Sequence, residues 1–355
     1  MPDEFARYSC QLALPDFNEA TQQKLQSAKV LIAGAGGLGC PCGLYLAASG
    51  IGTIGIADYD TISITNLHRQ VLYIEGELGL KKSVIAGAKL QNQNPGISVI
   101  SHDVKITSQN VMKLISRYDI IIDCTDNFDT RYLLNDACVL QHKPLVYGAI
   151  YQYEGQVSVW NVSNNDGTRS PNYRDVFPAV NAAQIPNCAD GGVMPSLTGI
   201  IGCMQANEVI KYLRNDSEIL SGKLLMFNVR TMQSTVIKTG NITKTKITSL
   251  ADIAEESLIS VMELKEEITN NTYQLIDVRT PDEHASFNIG GENFHLNELE
   301  KNIRELKDTK PIILYCSTGK RSGEAVRYLK QQFPGINIFS LEGGLEKWKQ
   351  LAIDQ

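Results

Sequence analysis

No C-x-x-C pair occurs among the eight cysteines of this chain, which stand at positions 10, 40, 42, 124, 138, 188, 203 and 316. A zinc site built on cysteine pairs therefore has no support in the sequence. Cysteines scattered through a chain of 355 residues do not read as a disulfide framework either. Most are expected to be small buried hydrophobes. A basic excess is also lacking: 33 Lys and Arg face 39 Asp and Glu, a net charge of −6, which argues against a general nucleic-acid binder because phosphates would go unneutralised. No uninterrupted apolar run is long enough to span a bilayer, and MPDEFARYSC lacks the basic-then-apolar plan of a secretory leader. These absences predict a cytoplasmic protein with neither membrane nor nucleic acid as partner. Internal repeats and low-complexity blocks are missing as well.

What is present suffices for a large core, since 43% of the residues are hydrophobic and only 20% charged. The length predicts two domains, or one large one. Apolar runs alternating with helical stretches predict an α/β chain, with a mainly parallel sheet in the first part and a smaller α/β unit in the second. A polar stretch without core pattern separates the two, giving domains over 1–240 and 252–355 joined by a linker over 241–251.

The first domain is organised around KVLIAGAGGLGCPCGLYLAASGIGTIGIADYD, residues 29–60. An apolar run enters a turn with Gly34, Gly36, Gly37 and Gly39, an apolar helix follows, and a second apolar run ends on Asp58. This strand, glycine turn, helix, strand and acid pattern is that of a Rossmann-like nucleotide-binding unit. Glycines let the backbone approach phosphate, the helix N-terminus supplies N–H donors, and the acid can take ribose hydroxyls. The pattern alone leaves the nucleotide open.

Three further groups narrow it: Asn66-Leu67-His68-Arg69-Gln70, then Gly79-Leu80-Lys81-Lys82, then Asp123-Cys124-Thr125-Asp126-Asn127 after an apolar strand. A dehydrogenase needs the glycines and an acid but has no use for an Arg and a Lys close behind them. Cations there suit a triphosphate, where they stabilise the charge that develops as pyrophosphate is displaced, and a strand-end Asp can hold Mg2+.

With those groups in place the chain, from about residue 5 to 236, resembles the MoeB/ThiF family of ubiquitin-activating-type adenylyltransferases. The resemblance runs through GAGGLG, NLHRQ, GLKK, CTDNFDTRYLLND, KPLVYGAIYQYEGQV and NCADGGVMPSLTGIIGCMQANEVIK. It implies that ATP is bound by the glycine turn with Asp58 on the ribose, Asp60 and Asn66 beside it, Arg69 and Lys82 on the phosphates, and Asp126 on Mg2+. It also implies a ubiquitin-like sulfur carrier protein with a C-terminal Gly-Gly as the substrate, and a homodimer. Relatives commonly carry zinc on two C-x-x-C pairs. The first would fall near residues 170–175, where this chain has Asn172 and Asp175, and the second near the end of the domain, where none occurs. No zinc is therefore expected. Relatives also begin R-Y-x-R-Q, the second Arg reaching the partner's ATP, whereas here Cys10 stands at that position.

In the second domain Cys316-Ser317-Thr318-Gly319-Lys320-Arg321-Ser322 follows an apolar strand and opens a helix. A Cys at that junction meets backbone N–H groups, the helix dipole and two cations, an environment that favours thiolate. With DVRTPDEH and LEGGLEKW, residues from about 250 to 355 resemble the rhodanese family, which implies that Cys316 carries a persulfide cradled by residues 316–321. Tyrosine phosphatases use a C-x5-R loop, and the C-x4-R spacing here suits sulfur better than phosphate. Cys188, in a long Asn-, Asp-, Gly- and Pro-rich connection, is a second candidate for catalysis.

The sequence thus predicts an adenylyltransferase fused to a sulfurtransferase. The first domain adenylates the carrier's C-terminus and the Cys316 persulfide converts the adenylate to a thiocarboxylate. The sulfur donor would be a cysteine desulfurase or thiosulfate, and the product would serve molybdopterin, thiamin or another sulfur pathway. The alternative is an NAD-dependent oxidoreductase fused to a sulfurtransferase.

Overall fold

The apolar runs that flank the glycine turn become the middle of a large sheet because neither face can remain in water. Val30, Leu31, Ile32 and Ala33 are buried, as are Ile120, Ile121 and Ile122. A computed structural model describes residues 5–178, 191–250, 257–268, 272–296, 298–299, 301–302, 310–333 and 335–353. It resolves into two compact units, one within residues 5–250 and one from 257 onward.

In the first unit, β1 (Lys29–Ala33), β2 (Thr53–Ala57), β3 (Ser98–His102), β4 (Ile120–Asp123), β5 (Leu145–Tyr151), β6 (Glu154–Trp160), β7 (Lys223–Asn228) and β8 (Gln233–Lys238) form one sheet in the order β3-β2-β1-β4-β5-β6-β7-β8. The five strands from β3 to β5 are parallel and the remainder antiparallel. Chain order reverses between β1 and β4, and open parallel sheets bind ligands outside the carboxyl ends of strands at such a switch. The register brings Ala33 opposite Asp123, so the glycine turn and the Cys124–Asn127 loop leave the sheet side by side.

Helices Gly39–Ser49 and Pro195–Arg214 pack on each other above this sheet. Asn18, a residue type that favours the N-cap, starts helix Glu19–Ser27, its side chain accepting from the Thr21 N–H. Helix Lys82–Gln93 ends before Pro95, whose ring cannot continue it. The N-terminal arm is fixed to its own subunit: Tyr8 is buried and its hydroxyl accepts from Asn94, while Arg7 donates to the Gln93 carbonyl. Cys10 is exposed.

In the second unit β9 (Leu258–Ile259), β10 (Gln274–Asp277), β11 (Glu292–Asn293), β12 (Ile312–Tyr315) and β13 (Ile338–Leu341) form a parallel sheet in the order β11-β10-β12-β13-β9. Cys316 leaves its central strand. Two helices not read from the sequence are Pro281–Ser286, started by Thr280 in a capping box with Glu283, and Gly344–Ile353. The sequence over 296–307 reads as a helix, and this stretch lies largely outside the described residues.

Candidate active sites

The nucleotide site is built at the β1–β4 switch. Gly34 leaves β1 with φ +97°, and a Cβ there would stand 2.7 Å from the Cys124 carbonyl oxygen. Only glycine meets both the torsion and the contact without strain. Helix Gly39–Ser49 then starts beneath the turn. Asp58, just past β2, accepts from the Ala35 N–H at 2.7 Å and the Asp60 N–H at 2.8 Å. Burial pushes its carboxyl up, Lys82 opposes that, and Asp60 adds to it.

Lys82, the first residue of its helix, is only 4% exposed, and its Nζ lies 3.1 Å from Asp60 Oδ2. Tyr73, which the sequence did not single out, joins this group to the turn: its hydroxyl donates to the Ala35 carbonyl at 2.7 Å and lies 3.3 Å from the Lys82 carbonyl. Asp58, Asp60, Lys82 and the glycine turn therefore form one hydrogen-bonded system. Arg69 is half-buried, with its guanidinium on the Thr65 carbonyl at 3.2 Å and its own carbonyl accepting from the Thr198 hydroxyl at 3.4 Å. Gly37 faces the same two side chains, since a Cβ there would come 3.1 Å from Thr198 and 3.6 Å from Arg69. The Asn66 carbonyl accepts from Arg69 and Gln70, fixing the turn that carries both. Gly36 faces Gln70, whose Oε1 is buried without a partner. An entering ligand can supply that partner.

Asp126 is exposed, two residues after the Cys124 carbonyl that abuts Gly34. Mg2+ is commonly held by one or two carboxylates together with substrate phosphates, and a single exposed carboxylate at this edge fits that donor set. Among the described residues no cluster of three or more Asp, Glu, His and Cys is arranged to hold a metal alone.

The region that matches the relatives' first cysteine pair is occupied by hydrogen bonds. Asp175 Oδ1 accepts from the Lys244 N–H, the Thr245 N–H and the Thr245 hydroxyl, and Oδ2 accepts from the Thr243 hydroxyl and from both nitrogens of Asn172, all at 2.7–3.0 Å. These residues do not fit a zinc site, because the carboxylate is already saturated and no thiol is present.

Burial raises the thiols of Cys40, to about 12, and of Cys124, as expected for cysteines that serve as core atoms, and also that of the half-buried Cys203. Cys188 lies outside the described residues.

In the second unit, Cys316 is buried and its sulfur accepts from the Ser322 N–H and hydroxyl, each at 3.5 Å. Ser322 in turn meets Ser340 Oγ at 2.8 Å. Gly319 caps the helix Lys320–Gln332 with φ +84°, and Thr318 is exposed at the loop's crown. The Leu345 and Glu346 N–H groups donate to the carbonyls of Cys316 and Ser317 at 2.9 Å. Gly344 is needed for that approach, because a Cβ would stand 2.5 Å from the Cys316 oxygen.

Arg321 turns its fork to Glu283 at 2.7 and 2.9 Å, and Ser317 bridges the same pair. Its hydrogen bond to Arg321 holds the Glu283 carboxyl down at about 2. Glu283 lies within DVRTPDEH, but nothing in that motif points to this partnership across 38 positions.

Comparison with known proteins places these sites in context. Residues 8–247 match the ThiF family and residues 260–351 match the rhodanese-like domain. The chain is 37% identical to the adenylyltransferase and sulfurtransferase MOCS3 of Aedes aegypti, over 98% of this chain and 87% of that protein. It is 36% identical to the protein of the same name from Drosophila ananassae, over 98% and 83%. Among solved structures, E. coli MccB with ATP aligns with a TM-score of 0.55 at 24% identity, covering 62% of this chain and 67% of that one. E. coli MccB alone aligns at 0.59 and 23%, covering 67% and 71%. At that identity the likeness shows a shared fold.

Proposed function

Because the chain belongs to the ThiF family and carries a rhodanese-like domain behind it, we propose that the two sites described above act in succession on one ubiquitin-like sulfur carrier protein. The chain is an adenylyltransferase and sulfurtransferase that uses ATP. The observation that carries the sequence of steps is that a single chain builds both the phosphate-side system of Asp58, Asp60 and Lys82 and the cradle around Cys316.

In the first step a carboxylate oxygen of the carrier's C-terminal glycine attacks the α-phosphorus of ATP. A P–O bond forms, the bond to the β-phosphate breaks, and acyl-adenylate and pyrophosphate result. Asp58, already oriented by two N–H groups, takes the ribose hydroxyls. Lys82 exchanges part of its pairing with Asp60 for phosphate oxygens, and Arg69 stabilises the charge that builds on the leaving pyrophosphate. Mg2+ held by Asp126 would neutralise phosphate charge in the same site.

In the second step the outer sulfur of a Cys316 persulfide attacks the acyl carbon and AMP leaves. This gives an acyl disulfide. A thiol, for which Cys188 is our candidate, then attacks the Cys316 sulfur, the S–S bond breaks and the thiocarboxylate leaves. The disulfide left between that thiol and Cys316 is returned to two thiols by an external thiol reductant. Ser322 and the first turn of helix Lys320–Gln332 stabilise negative sulfur at Cys316.

The same reading includes a cysteine desulfurase or thiosulfate as sulfur donor, a homodimer and a cytoplasmic setting. The exposed side chains of Ile64, Val71, Ile74 and Leu80 offer apolar surface for a second copy. Zinc has no part in it, and the saturated Asp175 supports that. Among the described residues no helix is long and apolar enough to cross a membrane. The oxidoreductase alternative is set aside, since the relatives that span nearly the whole chain are adenylyltransferases.

The test is intact-mass measurement of a carrier incubated with enzyme, ATP and thiosulfate or a persulfide. The expected product is heavier by the exchange of one oxygen for one sulfur, with Cys316→Ala abolishing the gain but not ATP–pyrophosphate exchange. A gain that survives Cys316→Ala would overturn the assignment of Cys316.

A further inference from the structure

We infer that the buried Asp123–Arg131 ion pair is the positioning element for Asp126, fixing the strand-end loop so that its exposed carboxylate faces the nucleotide's phosphates. The inference rests on the proposed role of Asp126 as the Mg2+ ligand.

Asp123 ends β4 and is fully buried. Its Oδ1 accepts from the Thr125 N–H at 2.9 Å and the Thr125 hydroxyl at 2.6 Å, and its Oδ2 accepts from Arg131 Nε at 2.9 Å. Arg131 Nη2 then returns to the Thr125 carbonyl at 3.1 Å and reaches the Gly148 carbonyl at 3.4 Å. Thr125 is thereby gripped at its N–H, its hydroxyl and its carbonyl by the two halves of one ion pair.

Its neighbours are fixed as well. Gln205 Nε2 donates to the Asp123 carbonyl at 2.7 Å while its Oε1 accepts from the Cys124 thiol at 3.5 Å. On the far side Asn127 caps helix Phe128–Leu140 through the Thr130 N–H at 2.9 Å. Asp126 is the exposed residue between these two anchored stretches.

The pair makes a poor case as a device for stability alone. Taking a carboxylate and a guanidinium out of water carries a large desolvation penalty, and well-packed apolar replacements are often as stable or more so. Arg131 is moreover flanked by the rings of Tyr147 at 5.0 Å, Phe128 at 5.6 Å and Tyr173 at 5.9 Å. Its bonds to Asp123 and the Thr125 carbonyl lead to the loop and its third holds the Gly148 carbonyl of β5, so Arg131 ties the loop to the neighbouring strand.

The test is Mn2+ binding, followed by electron paramagnetic resonance in the presence of a non-hydrolysable ATP analogue, with melting temperature as the check on folding. Arg131→Lys keeps the charge but loses the fork, and it is expected to weaken Mn2+ binding on the order of tenfold, as changes behind a metal ligand typically do. Metal-free binding of the analogue should stay nearly unchanged. Asp126→Asn should weaken Mn2+ at least as much, and adding Arg131→Lys to it should bring no further loss, because both act through one carboxylate.

A folded Arg131→Lys protein with parental Mn2+ affinity, or a double variant in which the two losses multiply, overturns the inference while leaving the Asp126 assignment intact. An Asp126→Asn protein with parental affinity overturns both. If Arg131→Lys does not fold, Thr125→Val removes the hydroxyl contact to Asp123 and keeps the N–H contact. It should weaken Mn2+ in the same direction, and parental affinity there counts against the inference equally.

Discussion

Tyr73 shows what one hydroxyl can hold together. Buried beside the glycine turn, it donates to the carbonyl of Ala35, the residue whose N–H orients Asp58, and it touches the carbonyl of Lys82. Tyr73→Phe keeps the ring packing and leaves a buried carbonyl short of a donor, a loss of about 1–2 kcal/mol. The expected kinetic result is a higher KM for ATP in pyrophosphate exchange with the second domain's sulfur chemistry unaltered, and a melting scan checks the stability loss. Tyr73 was not legible in the sequence, because its partners are backbone carbonyls, which carry no residue identity. Asp58 and the glycines were legible for the opposite reason: a turn that tolerates no Cβ and a strand that ends in an acid leave their mark directly on residue type. Arg131 was hidden among helical residues, although its place eight positions after the buried Asp123 matches a side chain folding back on the strand that precedes its helix.

Among the elements, the strand, loop and helix around Cys316 are the clearest case of reading and structure meeting. An apolar strand, a Cys, a glycine and a cation-bearing helix start could be read off in order. What brings Arg321 to Glu283 is the short helix Pro281–Ser286, too short to show a periodic pattern. Glu283 has a folded-state value of about 2 against an ordinary 4.5, with the Arg321 hydrogen bond as the leading cause. A depressed carboxyl stabilises the fold above its ordinary value, and that contribution is lost as pH falls from about 4.5 to about 2. Glu283→Gln should therefore flatten the part of the acid-unfolding curve that belongs to this group. At neutral pH it should lower stability by under about 1 kcal/mol, since the pair is partly in water. Melting temperatures of the two proteins at matched pH values decide it: curves that stay parallel through that window would remove Glu283 as the cause.

On the scale of the whole molecule, two α/β units were foreseeable from alternating apolar and helical stretches. The order of the antiparallel strands and the contact of residues 243–245 with Asp175 were not, because they depend on where the chain returns after long excursions. That contact fastens the end of the first unit to the helix Tyr173–Val176. Burial alone would raise the Asp175 carboxyl, yet the Thr243 hydroxyl and the other donors bring it below its ordinary value. Its stabilisation is thus complete at neutral pH and fades as acid protonates it. Asp175→Ala should cost about 1.5–3 kcal/mol, the range for hydrogen bonds to a charged group. Strong chelators should leave the parent's melting temperature where it was, and a drop on chelation would show that a metal shares the task.

A fastening made of carboxylate, hydroxyls and amides has a further property in an enzyme that handles reactive sulfur. Thiolates bound to zinc are nucleophiles that persulfides can modify, so a relative with four such sulfurs carries a structural part vulnerable to its own cargo. Asp175, Asn172, Thr243 and Thr245 present no atom that sulfane sulfur attacks. Sustained exposure to a persulfide donor should therefore load Cys316 and leave the architecture of the adenylating unit untouched.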